Sequence, residues 1–223
     1  HRIAEENAEH WCLERAMDQL DAEWTTLSFD YAWESHVLLE NCREGLRRLD
    51  AWLGKSSQRE LVGTEGPIKH VFDLPSAMVH IAGSIDRLER DEAGNHIVID
   101  YKTGSRPHES MNPHVIQVAI YQTALAEGYG GRKPADVGPA ELVYLMDEPH
   151  KRGAEARVIS ISPVGDEPWA RGAVHTAAAG FHDWVRYYLD RAARVVLGAE
   201  RAAVMNHSCQ FCPVRSGCPA LVP

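Results

Sequence analysis

The stretch from Gly83 to Gly104, GSIDRLERDEAGNHIVIDYKTG, constrains the fold more than any other part of the chain. Asn95 to Lys102 is dense in β-branched and aromatic residues, which pack best on a pleated surface. Asp91-Glu92-Ala93-Gly94-Asn95 carries turn chemistry, and Ala77 to Glu89 before it is again rich in branched residues. Together they predict an antiparallel hairpin. With the turn centred on Ala93, residues whose numbers sum to 186 face each other, so Asp86 meets Asp100; a register slipped by one residue is the alternative. Opposed Cβ atoms lie about 5 Å apart, and two carboxylates so placed destabilise a hairpin unless a cation sits between them. Side chains alternate along a strand, which puts Asp100 and Lys102 on one face and Ile99 and Tyr101 on the other.

The remaining patterns surround this hairpin. Residues 2–22 contain neither Gly nor Pro and predict a helix. A second helix is expected from an Asp30 N-cap to about Leu53, with Leu38, Cys42, Leu46, Leu49 and Leu53 as its apolar stripe and Gly54 as its stop. Glu60 to His70 reads as a strand. After Pro107 and Pro113 come a helix over His114–Glu127, a strand over Ala140–Met146 and its hairpin partner over Glu155–Ile161. A long helix follows from about Glu167 to Gly198, then an irregular tail from Asn206. Trp24, Trp33, Trp52 and Trp184 read as core. The order ααβββαββα predicts an α/β protein, a mixed sheet covered by helices. One domain spans 1–223, with a helical part (1–54), a sheet-and-helix part (55–165) and a long helix with a cysteine tail (166–223).

Composition narrows the function. Thirty-two acids against 23 bases give a charge of −9, so a simple charge-driven nucleic-acid binder is disfavoured and any DNA contact must gather its bases locally. No apolar run approaches the ~18–20 residues needed to cross a bilayer, and His1 to Glu6 lacks the pattern of a signal peptide. Three of the five cysteines, Cys209, Cys212 and Cys218, fall in the last fifteen residues. That clustering points to metal ligation in a reducing, cytoplasmic setting. No GxxxxGK[ST] loop is present, so the chain carries no ATPase motor of that type.

The hairpin residues suggest a chemistry. Two carboxylates and an ammonium on one face, with a hard cation such as Mg²⁺, suit phosphodiester hydrolysis. An exposed salt-bridge ladder would use the same residues. Gln117 and Tyr121, four apart on the following helix, could hold the lysine and meet a DNA backbone, or Tyr121 could simply be core. Glu65 lies on the strand before the hairpin, within reach of the site, and is read in preference as an ordinary exposed glutamate.

Here the residues resemble a family. Gly83-Ser84-Ile85-Asp86 resembles the GxxD motif of RecB-type nucleases, a branch of the PD-(D/E)XK superfamily. Asp100-Tyr101-Lys102-Thr103-Gly104 resembles the DxK motif, and Gln117-Val118-Ala119-Ile120-Tyr121 the QxxxY motif, in family order. The resemblance implies a restriction-endonuclease-like mixed sheet flanked by helices. It further implies Mg²⁺ or Mn²⁺ on Asp86, Asp100 and the Tyr101 carbonyl, with Lys102 acting on the attacking water. His1-Arg2-Ile3-Ala4-Glu5 is similar to the end of the family's GxxVHxxxE pattern, which implies His1 as a further metal ligand; a tag scar or frayed terminus explains it equally well. For DNA contact, Lys69, Arg87, Lys102, Arg106 and the Gln117–Tyr121 face are the candidates.

The tail, Cys209-Gln210-Phe211-Cys212 with Cys218 beyond it, resembles the cysteine triplet of iron–sulfur members. These include AddB- and AdnB-type helicase–nucleases and CRISPR-associated RecB-like nucleases. The resemblance implies a [4Fe–4S] cluster completed by an upstream cysteine. That cysteine is missing from its family position. Cys12 and Cys42 are the remaining candidates, and Cys42 reads better as a small buried hydrophobe. The function implied is a metal-dependent DNA exonuclease module, part of a larger protein, working with a helicase motor in double-strand-break repair and recombination. Other readings are a non-catalytic DNA-binding module of nuclease fold, a CRISPR-associated nuclease, or a zinc site with His207 as fourth ligand.

Overall fold

A five-stranded sheet in the order β1-β2-β3-β4-β5 organises the molecule. The computed structural model describes residues 1–104, 113–129, 132–147, 152–153, 155–161, 181–198, 207–213 and 215–218. β1 (Glu60–Asp73) and β2 (Met78–Arg90) form a long hairpin, and β3 (His96–Lys102) adds antiparallel to β2. β4 (Ala140–Tyr144) runs parallel to β3, and β5 (Arg157–Ile161) returns antiparallel. The parallel β3–β4 pair needs a crossover, and helix α4 (Pro113–Glu127) lies within it. Helices α1 (Arg2–Glu6), α2 (Leu13–Trp24) and α3 (Ala32–Lys55) precede the sheet, and α5 (Phe181–Val196) follows it. This is the mixed α/β architecture expected. No helix among the described residues is long and apolar enough to cross a membrane.

The hairpin register is the expected one: Arg87 faces Ile99 and Leu88 faces Val98. Its turn closes on Asp91, whose carboxylate accepts the Asn95 backbone N–H at 2.8 Å, while Gly94 takes the positive φ of +92°. Ile97 to Tyr101 are all buried because β3 is covered on both faces. Val98 joins a core with Val118 and Ala119 of α4 and Trp184 and Val185 of α5. Ile97, Ile99 and Tyr101 pack the other way, against Leu49 and Trp52 of α3. Two-sided burial of this kind makes β3 a rigid platform for whatever its last residues carry.

Several expectations need correction. The first helix breaks after Glu6. Asn7 is 4% exposed, and its side-chain amide donates to the Ile3 carbonyl and to Gln19, both at 2.9 Å, so it caps one helix and docks on the next. Tyr31, not Asp30, sits at the start of α3, and the helix runs through Gly54 to Lys55. The buried face of α3 includes Gly45, Arg48, Leu49 and Trp52, whereas Leu38 is exposed. Arg48 is buried because its guanidinium donates to the Leu145 and Asp147 carbonyls, at 3.1 and 2.6 Å, just beyond β4. Trp52 and Trp184 are core, but Trp33 is 69% exposed. The expected long helix is described from Phe181; its earlier half lies outside the described residues. The tail forms two short 3₁₀ turns, His207–Phe211 and Arg215–Gly217.

Candidate active site

The site forms where the β2–β3 ladder ends. The last ladder pair is Arg87 with Ile99, and beyond it the Asp86 carboxylate accepts the Tyr101 backbone N–H at 2.8 Å. On the other side of β2, Thr64 faces Arg87 and Gly66 faces Ile85, which leaves Glu65 beside Asp86. Glu65 has φ +45°, the one left-handed non-glycine among the described residues. That conformation costs a side-chain-bearing residue energy and persists where the surroundings enforce it. Here Ser84 Oγ donates to Glu65 Oε2 at 3.0 Å. His1 Nδ1 stands 3.4 Å from Asp86 Oδ2, with its ring edge-on to Tyr101 at 6.3 Å. One ligand atom from each of His1, Glu65 and Asp86 lies within 4.8 Å of the others.

Asp100 and Lys102 share the α4 face of β3. Asp100 is 3% exposed, and Lys102 Nζ lies 2.6 Å from its Oδ2. That oxygen is buried and has no hydrogen bond of regular geometry, the ammonium being its close neighbour. Lys102 Nζ also donates to Gln117 Oε1 at 3.4 Å, and Gln117 Nε2 donates to the Tyr121 hydroxyl at 3.3 Å. The chain Asp100–Lys102–Gln117–Tyr121 thus ties β3 to α4. Gly83 makes room for it: a Cβ there would overlap the Tyr121 hydroxyl and sit 3.1 Å from its Cζ. The glycine of the GSID segment therefore admits a side chain from α4.

Electrostatics set this cluster apart. Burial, then the neighbouring Asp100 and Glu65 charges, push the Asp86 carboxyl up to about 6, against the opposing pull of the Tyr101 N–H and Lys102. Burial also raises Asp100, although Lys102 works against it. His114, in the first turn of α4, is pushed down by burial and then by Lys102. Three carboxylates meet one lysine, a local excess of negative charge that a cation would relieve. The donor set fits a divalent ion: carboxylate oxygens suit Mg²⁺ and Mn²⁺, and an imidazole is tolerated better by Mn²⁺.

The predicted residues thus fall into two adjoining groups, His1 with Asp86 and Asp100 with Lys102, Gln117 and Tyr121, joined through the Tyr101 N–H; Asp100 lies outside the ligand-atom cluster of His1, Glu65 and Asp86. The Tyr101 ring points away and stacks edge-on against Trp52 at 5.9 Å, where burial raises its phenol. Glu65, read as an ordinary exposed glutamate, is instead half-buried beside Asp86. The available signal was the sequence Gly63-Thr64-Glu65-Gly66-Pro67, whose glycines and proline interrupt a strand pattern. Arg87 is not a cleft residue: it is 8% exposed and bonded to Glu89 at 2.6 Å. Lys69 is exposed on the hairpin opposite Ala82, and Arg106 lies outside the described residues.

All five cysteines are described, and none forms a disulfide. Cys12 is the N-cap residue of α2. Cys42 is half-buried rather than fully buried, and burial pushes its thiol up. In the tail, the Cys212, Arg215 and Cys218 N–H groups donate to the Cys209, Cys212 and Arg215 carbonyls at 3.2–3.3 Å, a chain of three-residue turns.

A sequence profile of the PD-(D/E)XK nuclease superfamily matches residues 1–219. The chain belongs to that superfamily, whose members are mostly nucleases. No curated protein matches it. Among solved structures it is similar to one titled "Crystal structure of SSO0001", at 16% identity over 95% of each chain, with a TM-score of 0.40.

Proposed function

We propose that the protein is a divalent-metal-dependent deoxyribonuclease, acting as one nuclease unit over residues 1–223. The observation that carries this reading is the convergence of Asp86, Asp100 and Lys102 where the β2–β3 ladder ends, with Glu65 and His1 on the acidic side. Asp86, Glu65 and His1 would hold a Mg²⁺ or Mn²⁺ ion, with Asp100 and the Tyr101 carbonyl as further oxygen donors. A bound ion supplies Lewis-acid stabilisation of the charge that develops on the phosphate. Lys102, steadied between Asp100 and Gln117, orients the attacking water and offsets phosphate charge. Gln117 is propped by Tyr121, which is 8% exposed and acts through it. Among the described residues, Lys69 and Lys102 are the predicted cations that remain candidates for contact with a DNA backbone.

The finer reading is an exonuclease module of a helicase–nuclease in double-strand-break repair and recombination, in the cytoplasm. It is supported by the GSID, DYKTG and QVAIY segments, and any helicase motor would be carried elsewhere than in this chain's 223 residues. Cys209, Cys212 and Cys218, spaced by short turns, would hold a [4Fe–4S] cluster with Cys12 or Cys42 as fourth ligand. The cluster would brace the fold and leave hydrolysis to the divalent ion.

Digestion of end-labelled linear DNA and of a sealed circle tests the activity. Linear DNA should be degraded with Mg²⁺ or Mn²⁺, spared with chelator, and the circle left intact. Equal cutting of the circle would refute the exonuclease assignment, and no cleavage with either ion would refute the enzyme. Anaerobically purified protein should absorb near ~400 nm; a colourless preparation with stoichiometric zinc would refute the cluster.

A further inference from the structure

The corner where α2 turns into α3 carries a second feature, independent of the acidic site. Leu27, Tyr31, Trp33, Val37 and Leu38 are 55%, 61%, 69%, 49% and 38% exposed, and none belongs to either core cluster. Trp33 and Val37 lie one turn apart on α3, and Tyr31 stacks on Trp33 with ring centroids 6.3 Å apart. Contiguous exposed apolar patches mark binding surfaces on soluble proteins. Trp and Tyr are also the side chains that most often dominate interface energy.

The corner is held in shape from inside. Trp24 stacks on Phe29 at 5.1 Å, and its indole N–H donates to Ser35 Oγ at 2.9 Å. The Thr25 and Thr26 hydroxyls each donate at 2.7 Å to the Ala22 and Glu23 carbonyls. The inner aromatic pair anchors the loop while the outer pair faces solvent. A patch ordered in advance loses little entropy on binding.

Charge identifies the partner. From Ala16 to Cys42 there are six acids and neither lysine nor arginine. Arg43, the next cation, is taken up by Asp21 and Glu40, and Glu23 holds Arg2. Asp30 and Glu34, which flank Tyr31 and Trp33 in sequence, make no ion pair among the described residues. Nucleic acid and anionic membranes would be repelled here. A second copy would set the same acids against each other in a twofold pairing. We infer that this corner is a docking surface for a protein partner whose apolar side chains are ringed by lysine or arginine.

The test uses the full chain and a fluorescein-labelled amphipathic helix of leucine and lysine, about 18 residues or five turns long, read by anisotropy. Saturable binding is expected, weakened at least about tenfold by Trp33→Ser with Val37→Ser, and also weakened by Asp30→Asn with Glu34→Gln. A leucine–glutamate helix should not bind. Circular dichroism and DNA cleavage should be unchanged in these variants, so that failure here stays separable from failure of the nuclease reading. Undiminished binding by the Trp33/Val37 variant, or no saturable binding by the wild type, would overturn the proposal. So would a wild-type dimer in sedimentation that this variant abolishes, which would make the occupant a second copy. Weaker binding of a labelled oligonucleotide by the same variant would overturn it as well.

Discussion

The sheet buries two clusters of charge, and they are built on opposite plans. Beside α3, Arg59 and Arg87 meet Glu89 and Glu141: Arg87 pairs with Glu89 at 2.6 Å, and Arg59 pairs with Glu141 at 2.7 Å and Glu89 at 3.5 Å. The Trp52 indole N–H adds a bond to Glu141 at 3.3 Å. Two cations match two anions, so the charge closes within the cluster, although Arg59 Nη1 and Glu89 Oε2 meet only as an ion pair without a hydrogen bond. Where the β2–β3 ladder ends, Glu65, Asp86 and Asp100 confront Lys102, and burial, reinforced by the neighbouring Asp100 and Glu65 charges, pushes Asp86 up to about 6. Balance marks a structural network, and a maintained imbalance marks a place where something positive is meant to arrive.

Breaking the unbalanced cluster should abolish chemistry and spare the fold. Asp100→Ala or Lys102→Ala is expected to lower cleavage at least about 10³-fold, with an unchanged circular dichroism spectrum; cleavage at wild-type rate by either would remove the assignment. The balanced cluster should respond the other way. Glu89→Ala leaves Arg87 and part of Arg59 without a partner and should cost about 3–5 kcal/mol of stability in denaturant melts. Metal binding in that variant should be retained while it remains folded.

A smaller effect probes the link between the strands and α4. Gly83→Ala should displace Tyr121, loosen Gln117 and Lys102, and reduce kcat about 10–100-fold with little change in KM. Pairing it with Tyr121→Phe removes the overlapping hydroxyl and should recover part of the loss. A purely additive double variant would show that the contact does not act through Tyr121.

The smallest expected effect is the pH dependence of the imbalance. The Asp86 carboxyl is raised in the fold, from 3.8 to about 6. Its contribution to stability is therefore fully present below about pH 4 and is lost as pH rises through about 6. In metal-free protein the full loss should be about 3 kcal/mol, read as the difference between wild type and Asp86→Asn from about pH 4 to above about pH 6. A divalent ion needs the ionised carboxylate, so stabilisation by Mn²⁺ should grow as pH rises through the same window. A Mn²⁺-induced rise in Tm that is equally large at pH 4 and pH 7 would contradict this.

Much of this was legible in the chain because the deciding signals are local. The turn at Asp91–Asn95 and the branched run of β3 set the hairpin register, and that register carries Asp86 to the point where the ladder ends, its carboxylate on the Tyr101 N–H. Glu65 was only partly legible: Gly63 and Gly66-Pro67 mark an interruption of the strand, but the left-handed backbone that sets Glu65 beside Asp86 has no cue of its own in the pattern. Arg87 looked like a free cation because its partner, Glu89, lies on the same face of the same strand and reads in sequence as surface charge. The first helix looked continuous because the break at Asn7 depends on a side chain docking against Gln19 twelve residues away. Trp33 looked like core because helical spacing records a face without saying whether anything packs on it.

Calorimetric titration with Mn²⁺ near neutral pH, on wild type, Asp86→Asn and Glu89→Gln side by side, tests the central claim most directly. The account predicts saturable binding by wild type and by the Glu89 variant, with proton release that grows as the buffer approaches pH 6, and loss of that binding in Asp86→Asn. Equal binding by wild type and Asp86→Asn, or no binding by wild type, would contradict it.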